Sequence, residues 1–197
     1  MSETDYIILR KTPFRESSLI VSGISPEYGR LDFIMRGHSS GKSGKFSVAG
    51  LFRELHIEFK TKKEDLSGLL TAGKLELVEN HDSIAENIPG YLAACELAAM
   101  LLSNTSPMIA IPGTYRSLQL YLRSIQNGKK PEPYLSLVYL TLLHESGELP
   151  LQEGRAGDFL NDLLTLVGAG DDLPQKIPEN YWEKLVEWRQ VICRKLK

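Results

Sequence analysis

The sequence predicts an α+β protein, with a five-stranded barrel followed by a bundle of helices. Residues 1–80 hold short runs rich in Ile, Leu and Val or alternating apolar with polar, broken by Gly and Pro. From Ser83 onward the apolar period lengthens to that of a helix. At 197 residues and 42% hydrophobic content, the chain can bury a core as one large domain or two small ones.

The strands follow in order. "YIILRK" (6–11) and "SSLIVSGIS" (17–25) are rich in Ile, Leu and Val, and "TPFRE" separates them. "SPEYG" (25–29) is a turn by its Pro and Gly. In "GRLDFIMRG" (29–37), Leu31, Phe33 and Met35 point one way, and Arg30, Asp32 and Arg36 the other. In "LFRELHIEFK" (51–60), Leu51, Leu55, Ile57 and Phe59 alternate with Glu54, His56, Glu58 and Lys60. After the polar "TKKED", residues 66–80 supply a fifth, longer strand whose two glycines predict a bend or bulge. The one long connection, 37–50, falls between the third and fourth strands. An OB-fold barrel carries its long insertion there and binds oligonucleotides on one face and its loops.

The helices come next. Residues 83–104 place Tyr91, Ala94, Cys95, Ala98, Leu101 and Leu102 on one stripe, and Pro89-Gly90 predicts a kink or a short first helix. Residues 114–127 stop at Gly128. Residues 132–147 are apolar nearly all round and predict the central helix of a bundle. Residues 155–168 and 178–197 complete the set across the linker 169–178. The predicted organisation is an OB-fold, DNA-binding barrel over 1–80 and a helical domain over 81–197.

Composition narrows the function. No run of 18 or more apolar residues occurs, so no membrane span is predicted, and the N-terminus lacks the pattern of a secretory signal. Cys95 and Cys193 have no metal-ligand spacing around them, so no zinc module and no cofactor are expected. The predicted compartment is the cytosol. The formal net charge is −2, but it is unevenly spread. Residues 1–75 hold twelve Lys and Arg against nine Asp and Glu; residues 76–197 hold eleven against sixteen. From Arg30 to Lys63 eight cations face three carboxylates, a local field able to attract an anion.

"IMRGHSSGKSGKF" (34–46) contains Gly37-x-x-x-Gly41-Lys42-Ser43, one residue short of a phosphate-cradling P-loop. A P-loop also needs a following helix whose N-terminus meets the phosphates. Here an alternating strand follows, so nucleotide hydrolysis is not predicted. A Gly/Ser-rich loop with Lys42, Lys45 and Phe46 instead suits single-stranded nucleic acid, with lysines on phosphates and a ring on a base. Phe46 equally suits an anchor to the barrel core. The histidines, His38, His56, His81 and His144, are scattered. His56 lies between Glu54 and Glu58, but no nucleophile or third ligand accompanies it, so no enzymatic activity is predicted.

The ordered set Glu16-Ser17-Ser18-Leu19-Ile20-Val21, Gly29-Arg30-Leu31, Arg36-Gly37 and Lys42-Ser43-x-Lys45-Phe46 resembles the RecO family of bacterial recombination mediators. "DLSGLLTAGKLE" (65–76) resembles that family's last barrel strand, and "PYLSLVYLTLLHESGELP" (133–150) its central helix. The likeness runs over residues 4–150. Many members carry a four-cysteine zinc module, absent after Pro150 here, and the loop has His38, Ser39 and Ser40 where arginines often stand.

The resemblance implies a non-enzymatic, cytoplasmic, nucleoid-associated protein of DNA damage repair and recombination. Such proteins bind single- and double-stranded DNA, anneal complementary strands, engage single-strand-binding protein, and load the recombinase with a RecR-type partner. Annealing has a simple physical basis, since neutralising the phosphates of both strands lowers their repulsion. The implied nucleic-acid-binding residues are Arg15, Arg30, Arg36, Lys42, Lys45, Lys60, Lys62 and Lys63, with Arg10 and Lys11 as weaker candidates. In the helical half, Arg116, Arg123, Lys129 and Lys130 border an apolar helix. A groove with that rim suits an acidic, apolar peptide such as the C-terminal tail of single-strand-binding protein. The alternative function is a protein-interaction module that binds repair partners and little DNA.

Overall fold

The computed structural model describes residues 2–15, 18–36, 47–60, 66–149, 154, 157–158, 161–164, 167 and 179–193. Its contacts divide the chain into two compact units, Met1–Ile111 and Pro112–Lys197.

The first unit is built on five strands: β1 (Ser2–Phe14), β2 (Ser18–Ser25), β3 (Gly29–Arg36), β4 (Glu54–Phe59) and β5 (Leu69–Glu79). They close into a barrel in the order β1-β2-β3-β5-β4. The N-terminal half of β1 pairs antiparallel with β4, from Ser2↔Phe59 to Ile7↔Glu54. Its C-terminal half pairs with β2, from Ile7↔Ile24 to Phe14↔Ser18. A register shift between Ile8 and Arg10 marks the change of partner, and a bulge at such a point bends the strand. β3 and β5 run parallel through Asp32↔Leu69 and Ile34↔Thr71. This is an OB-fold barrel.

β1 runs on through Pro13 to Phe14, past the break expected at "TPFRE". Its pairing with β4 has ended by Ile7, so a missing N–H on that flank disrupts no ladder.

Tyr6, Ile8, Val21, Leu31, Phe33, Met35, Leu55, Ile57 and Phe59 fill the interior. Tyr6 and Phe33 meet edge-to-face at 5.2 Å, as do Phe33 and Phe59 at 5.3 Å. The buried Tyr6 hydroxyl donates to the Leu31 carbonyl at 2.8 Å, and burial holds its pKa well above the usual phenol value.

Ile7 and Ile24 form a directly opposed pair, yet both are fully buried although neither belongs to the interior cluster. Helix α1 (Ile88–Asn104) packs on β1 and β2, which explains why the first compact unit extends to Ile111. Residue 80, where the sequence divides the domains, marks the end of the strands. A short 3-10 turn (Asp82–Glu86) precedes α1, and the Asn87 side chain caps α1 by accepting from the Gly90 N–H at 3.1 Å. Ala94, Leu97, Ala98, Leu101 and Leu102 form its buried stripe; Cys95 is only half-buried.

The second unit holds α2 (Pro112–Gln126), α3 (Glu132–Glu145) and α4 (Glu179–Cys193). Gly128, at φ +64°, ends α2 by the left-handed turn that favours glycine. α3 contacts both α2 and α4, the central position its apolar sequence predicts. The Ser117 and Thr141 hydroxyls meet at 2.8 Å where α2 and α3 pack, so neither buried oxygen is left unsatisfied. Of the helix expected over 155–168, residues 157–158, 161–164 and 167 are described, and all are helical. Among the described residues no helix is long and apolar enough to cross a membrane.

Candidate nucleic-acid interface

Strand register collects two of the expected cations at one end of the barrel. Phe14 pairs with Ser18, and Ser18 pairs with Arg36, so the end of β1, the start of β2 and the end of β3 lie in line. Arg15 follows Phe14 and Arg36 closes β3; both are exposed. Arg15 adopts φ 55° and sets its guanidinium carbon 5.2 Å from the centre of the Phe14 ring. The segment 37–46, with Lys42, Lys45 and Phe46, follows Arg36 in the chain and lies outside the described residues, as do Lys62 and Lys63. Lys60 is exposed directly after β4. Its neighbour Phe59 pairs with Ala72, while Thr71 pairs with Ile34, two residues before Arg36.

Arg30 is placed differently. Its Nη1 donates to the Leu102 carbonyl at 2.9 Å and its Nη2 to Asp32 Oδ2 at 3.3 Å. It is half-buried and satisfies an orphan carbonyl in the last turn of α1. Arg53, one of the eight cations of the basic stretch, holds the Asp82 carboxylate and donates to the Ser47 carbonyl. The Arg53 partnership holds the Asp82 carboxyl below its usual pKa. Arg10 and Lys11 are exposed on β1, and Arg10 reaches Ser22 Oγ at 3.3 Å.

Glu54 departs from the exposed face that alternation predicts, being 2% exposed. The carboxylates that serve His56 come instead from β1. Asp5 is its direct cross-strand neighbour, with Oδ1 2.8 Å from Nδ1, and Glu3 lies 3.8 Å from Nε2. The bond to Asp5 raises the His56 pKa. Among the described residues no three His, Cys, Asp or Glu side chains converge as a metal site.

In the helical unit the four expected cations separate. Arg116 bonds Gln119 at 3.1 Å and lines a cleft of about 620 Å³ with Tyr115, His144 and Leu164. Lys129 and Lys130 line a second cleft of about 320 Å³ with Pro133, Tyr134 and Val186, and the carboxylates of Glu132 and Glu183 line it as well. Arg123 sits in the last turn of α2, where a cation favours the helix dipole.

The family model described as "Recombination protein O N terminal" matches residues 1–78, the barrel from its first strand almost to its last residue. Over this barrel the chain is similar to the RecO family. Proteins named "DNA repair protein RecO" match beyond it. That of Listeria welshimeri is 28% identical over 151 residues, 77% of this chain and 55% of the relative. That of Listeria monocytogenes serotype 4b (strain F2365) is 27% identical over 153 residues, 78% and 58%. That of Aliivibrio salmonicida is 29% identical over 165 residues, 84% and 58%. The chain therefore spans a little over half the length of the RecO relatives it matches.

Sequence reasoning passed over Asp32, which it weighed only as an offsetting charge, and Cys95, which it placed in the core. Both line a cleft between the outer face of β1 and β3 and the C-terminal turns of α1. The shared outward parity of Arg30 and Asp32 was the available signal, but it does not reveal a helix 70 residues on.

Proposed function

We propose that the chain acts in DNA repair and recombination by binding single- and double-stranded DNA on its barrel. It anneals complementary strands and, with a RecR-type partner, helps load the recombinase onto strands coated by single-strand-binding protein. The observation that carries this reading is the exposed pair Arg15 and Arg36 in one row at the end of a barrel similar to that of the RecO family, with Lys42 and Lys45 next in the chain. Cations grouped at one edge neutralise neighbouring phosphates, and scattered ones do not.

The test is annealing of complementary fluorescent strands, bare and coated, by the wild-type chain and by a variant with Arg15, Arg36, Lys42 and Lys45 replaced by Ala. Loss of annealing and binding in the folded variant supports the assignment. Unchanged annealing removes these residues from the site.

A second reading rests on the cleft beneath Lys129 and Lys130. Its apolar residues and two lysines suit an acidic, apolar peptide tail that would have to meet the lysines clear of Glu132 and Glu183, and the chain would then serve chiefly as an interaction module. Micromolar binding of such a peptide, with no DNA binding at low salt, would favour it.

A further inference from the structure

The strand register puts an apolar patch on the outside of the barrel. Val21 and Phe33 pair directly and belong to the interior cluster. Side chains alternate along a strand, so their neighbours Ile20 and Ile34, which also pair, face outward. Leu69 faces outward by the same rule, since it precedes the interior Leu70, and it is 48% exposed. Phe14 stands two positions beyond Thr12, the partner of Ile20, and so shares this face with its ring half-buried. None of the four belongs to the interior cluster. Ile34 is buried and floors the patch, and Ile20 is half-buried. A sheet face turned to water ordinarily carries polar residues, and an apolar group there marks a site of interaction.

Cations border the patch. Phe14 pairs with Ser18 and Ser18 with Arg36, which puts Arg36 in the row of the ring. Arg15 sets its guanidinium 5.2 Å from the ring centre, from a left-handed backbone conformation that costs energy in any residue but glycine. Arg10 lies on the same face of β1, paired with Ser22. All three arginines are exposed. The carboxylate that shares this face, Asp32, is already held by Arg30. Apolar surface between cations complements a strand with unpaired bases, which offers flat faces and phosphate charge together. A guanidinium laid over a ring is also a flat surface on which a base stacks.

We propose that Phe14 is a base-stacking residue, and that the patch it forms with Ile20, Ile34 and Leu69 receives the bases of a single strand. The phosphates of that strand meet Arg10, Arg15 and Arg36. This rests on the DNA-binding reading above and deepens it, because it gives single strands and duplexes different contacts. A duplex hides its base faces in its own stack and meets the cations alone. A strand that pairs withdraws its bases and keeps only its phosphate contacts, so the annealed product leaves this face more readily than the strands that formed it.

The experiment is fluorescence anisotropy on the full chain across a salt series. The probes are an oligothymidylate, an abasic strand and a duplex of equal length. Phe14→Ala is expected to lower oligothymidylate affinity about tenfold, the scale of one stacked base. Its affinities for the abasic strand and the duplex stay as in the wild type. The slope of log affinity against log salt also stays, because a neutral ring releases no counterions, whereas Arg15→Ala reduces it. Phe14→Tyr keeps the wild-type affinity. Phe14→Leu, which keeps apolar bulk without a ring, does not; circular dichroism confirms that each variant is folded. Equal loss on all three probes, or full affinity in Phe14→Leu, overturns the stacking role. Undiminished oligothymidylate binding by Phe14→Ala does the same and leaves DNA binding by the cations standing. Tighter binding of an acidic, apolar peptide than of oligothymidylate, lost in Phe14→Ala, overturns it in favour of a peptide face. Absence of binding by every strand removes the DNA reading and this assignment with it.

Discussion

Arg30 on β3 donates to the carbonyl of Leu102 in α1, a bond that joins the barrel to the helix across 72 residues of sequence. The guanidinium also holds Asp32. Arg30 therefore has structural work independent of any phosphate. Arg30→Ala leaves the Leu102 carbonyl unmet and Asp32 without its cation, which costs about 1–3 kcal/mol. Arg36→Ala, at an exposed strand end, changes stability by about 0.5 kcal/mol or less. Urea titrations of the two variants check the difference, and equal effects would refute this role of Arg30.

Arg15 and Arg36 carry the opposite expectation. Replacing both leaves the urea midpoint within error but lowers the salt dependence of single-strand binding. Each lost phosphate contact reduces the slope of log affinity against log salt by about 0.7. Anisotropy titrations across a salt series measure it, and an unchanged slope would exclude both residues from contact.

Glu145, at the end of α3, caps α2 from outside it. Its carboxylate accepts from the Gly113 N–H at 2.7 Å, the Thr114 N–H at 2.9 Å and the Thr114 hydroxyl at 2.6 Å. A negative group there meets both orphan donors and the positive end of the helix dipole. Glu145→Ala is expected to destabilise the helical unit by about 1–2 kcal/mol, the upper part of the range for losing a cap. Glu145→Gln, which keeps an acceptor, loses less. Thermal melts of the two variants provide the comparison.

His56 links β4 to β1 through Asp5, and this bond raises its pKa above the ordinary value of 6.5. A raised folded-state pKa means stability that is full below the unfolded value and is lost as pH rises through the folded one. The wild type is thus expected to lose stability relative to His56→Gln between about pH 6 and pH 8. With His56 34% exposed, the difference stays below about 1 kcal/mol. Denaturation at the two pH values reads it, and a difference that grows with pH would reverse the sign and refute the account.

Gly29, at φ +67°, turns from β2 into β3, and a Cβ there would meet the carbonyls of Ser106 and Ile109. Gly29→Ala meets both an unfavourable backbone conformation and a clash with main chain that cannot rotate away. It is expected to cost more than about 1 kcal/mol. Retention of the wild-type melting temperature would show that the loop 105–111 shifts freely.

Alternation over Leu31, Phe33, Met35, Leu55, Ile57 and Phe59 made the barrel interior legible, because a side chain's face on a strand is a local property of period two. The 3.6-residue period likewise made α2 and α3 legible, and the ordered motifs from Glu16 to Phe46 pointed to the family. Tertiary structure alone decided which charges stay available. Arg30 and Arg36 stand six residues apart on one strand with the same parity, yet one is held by Leu102 and Asp32 and the other is exposed. Glu54 and His56 show the same limit, since alternation put both on one outer face and the fold buried the first. The physical reason is range. Side-chain direction follows from neighbouring residues, whereas burial and pairing depend on what distant segments bring within a few ångströms.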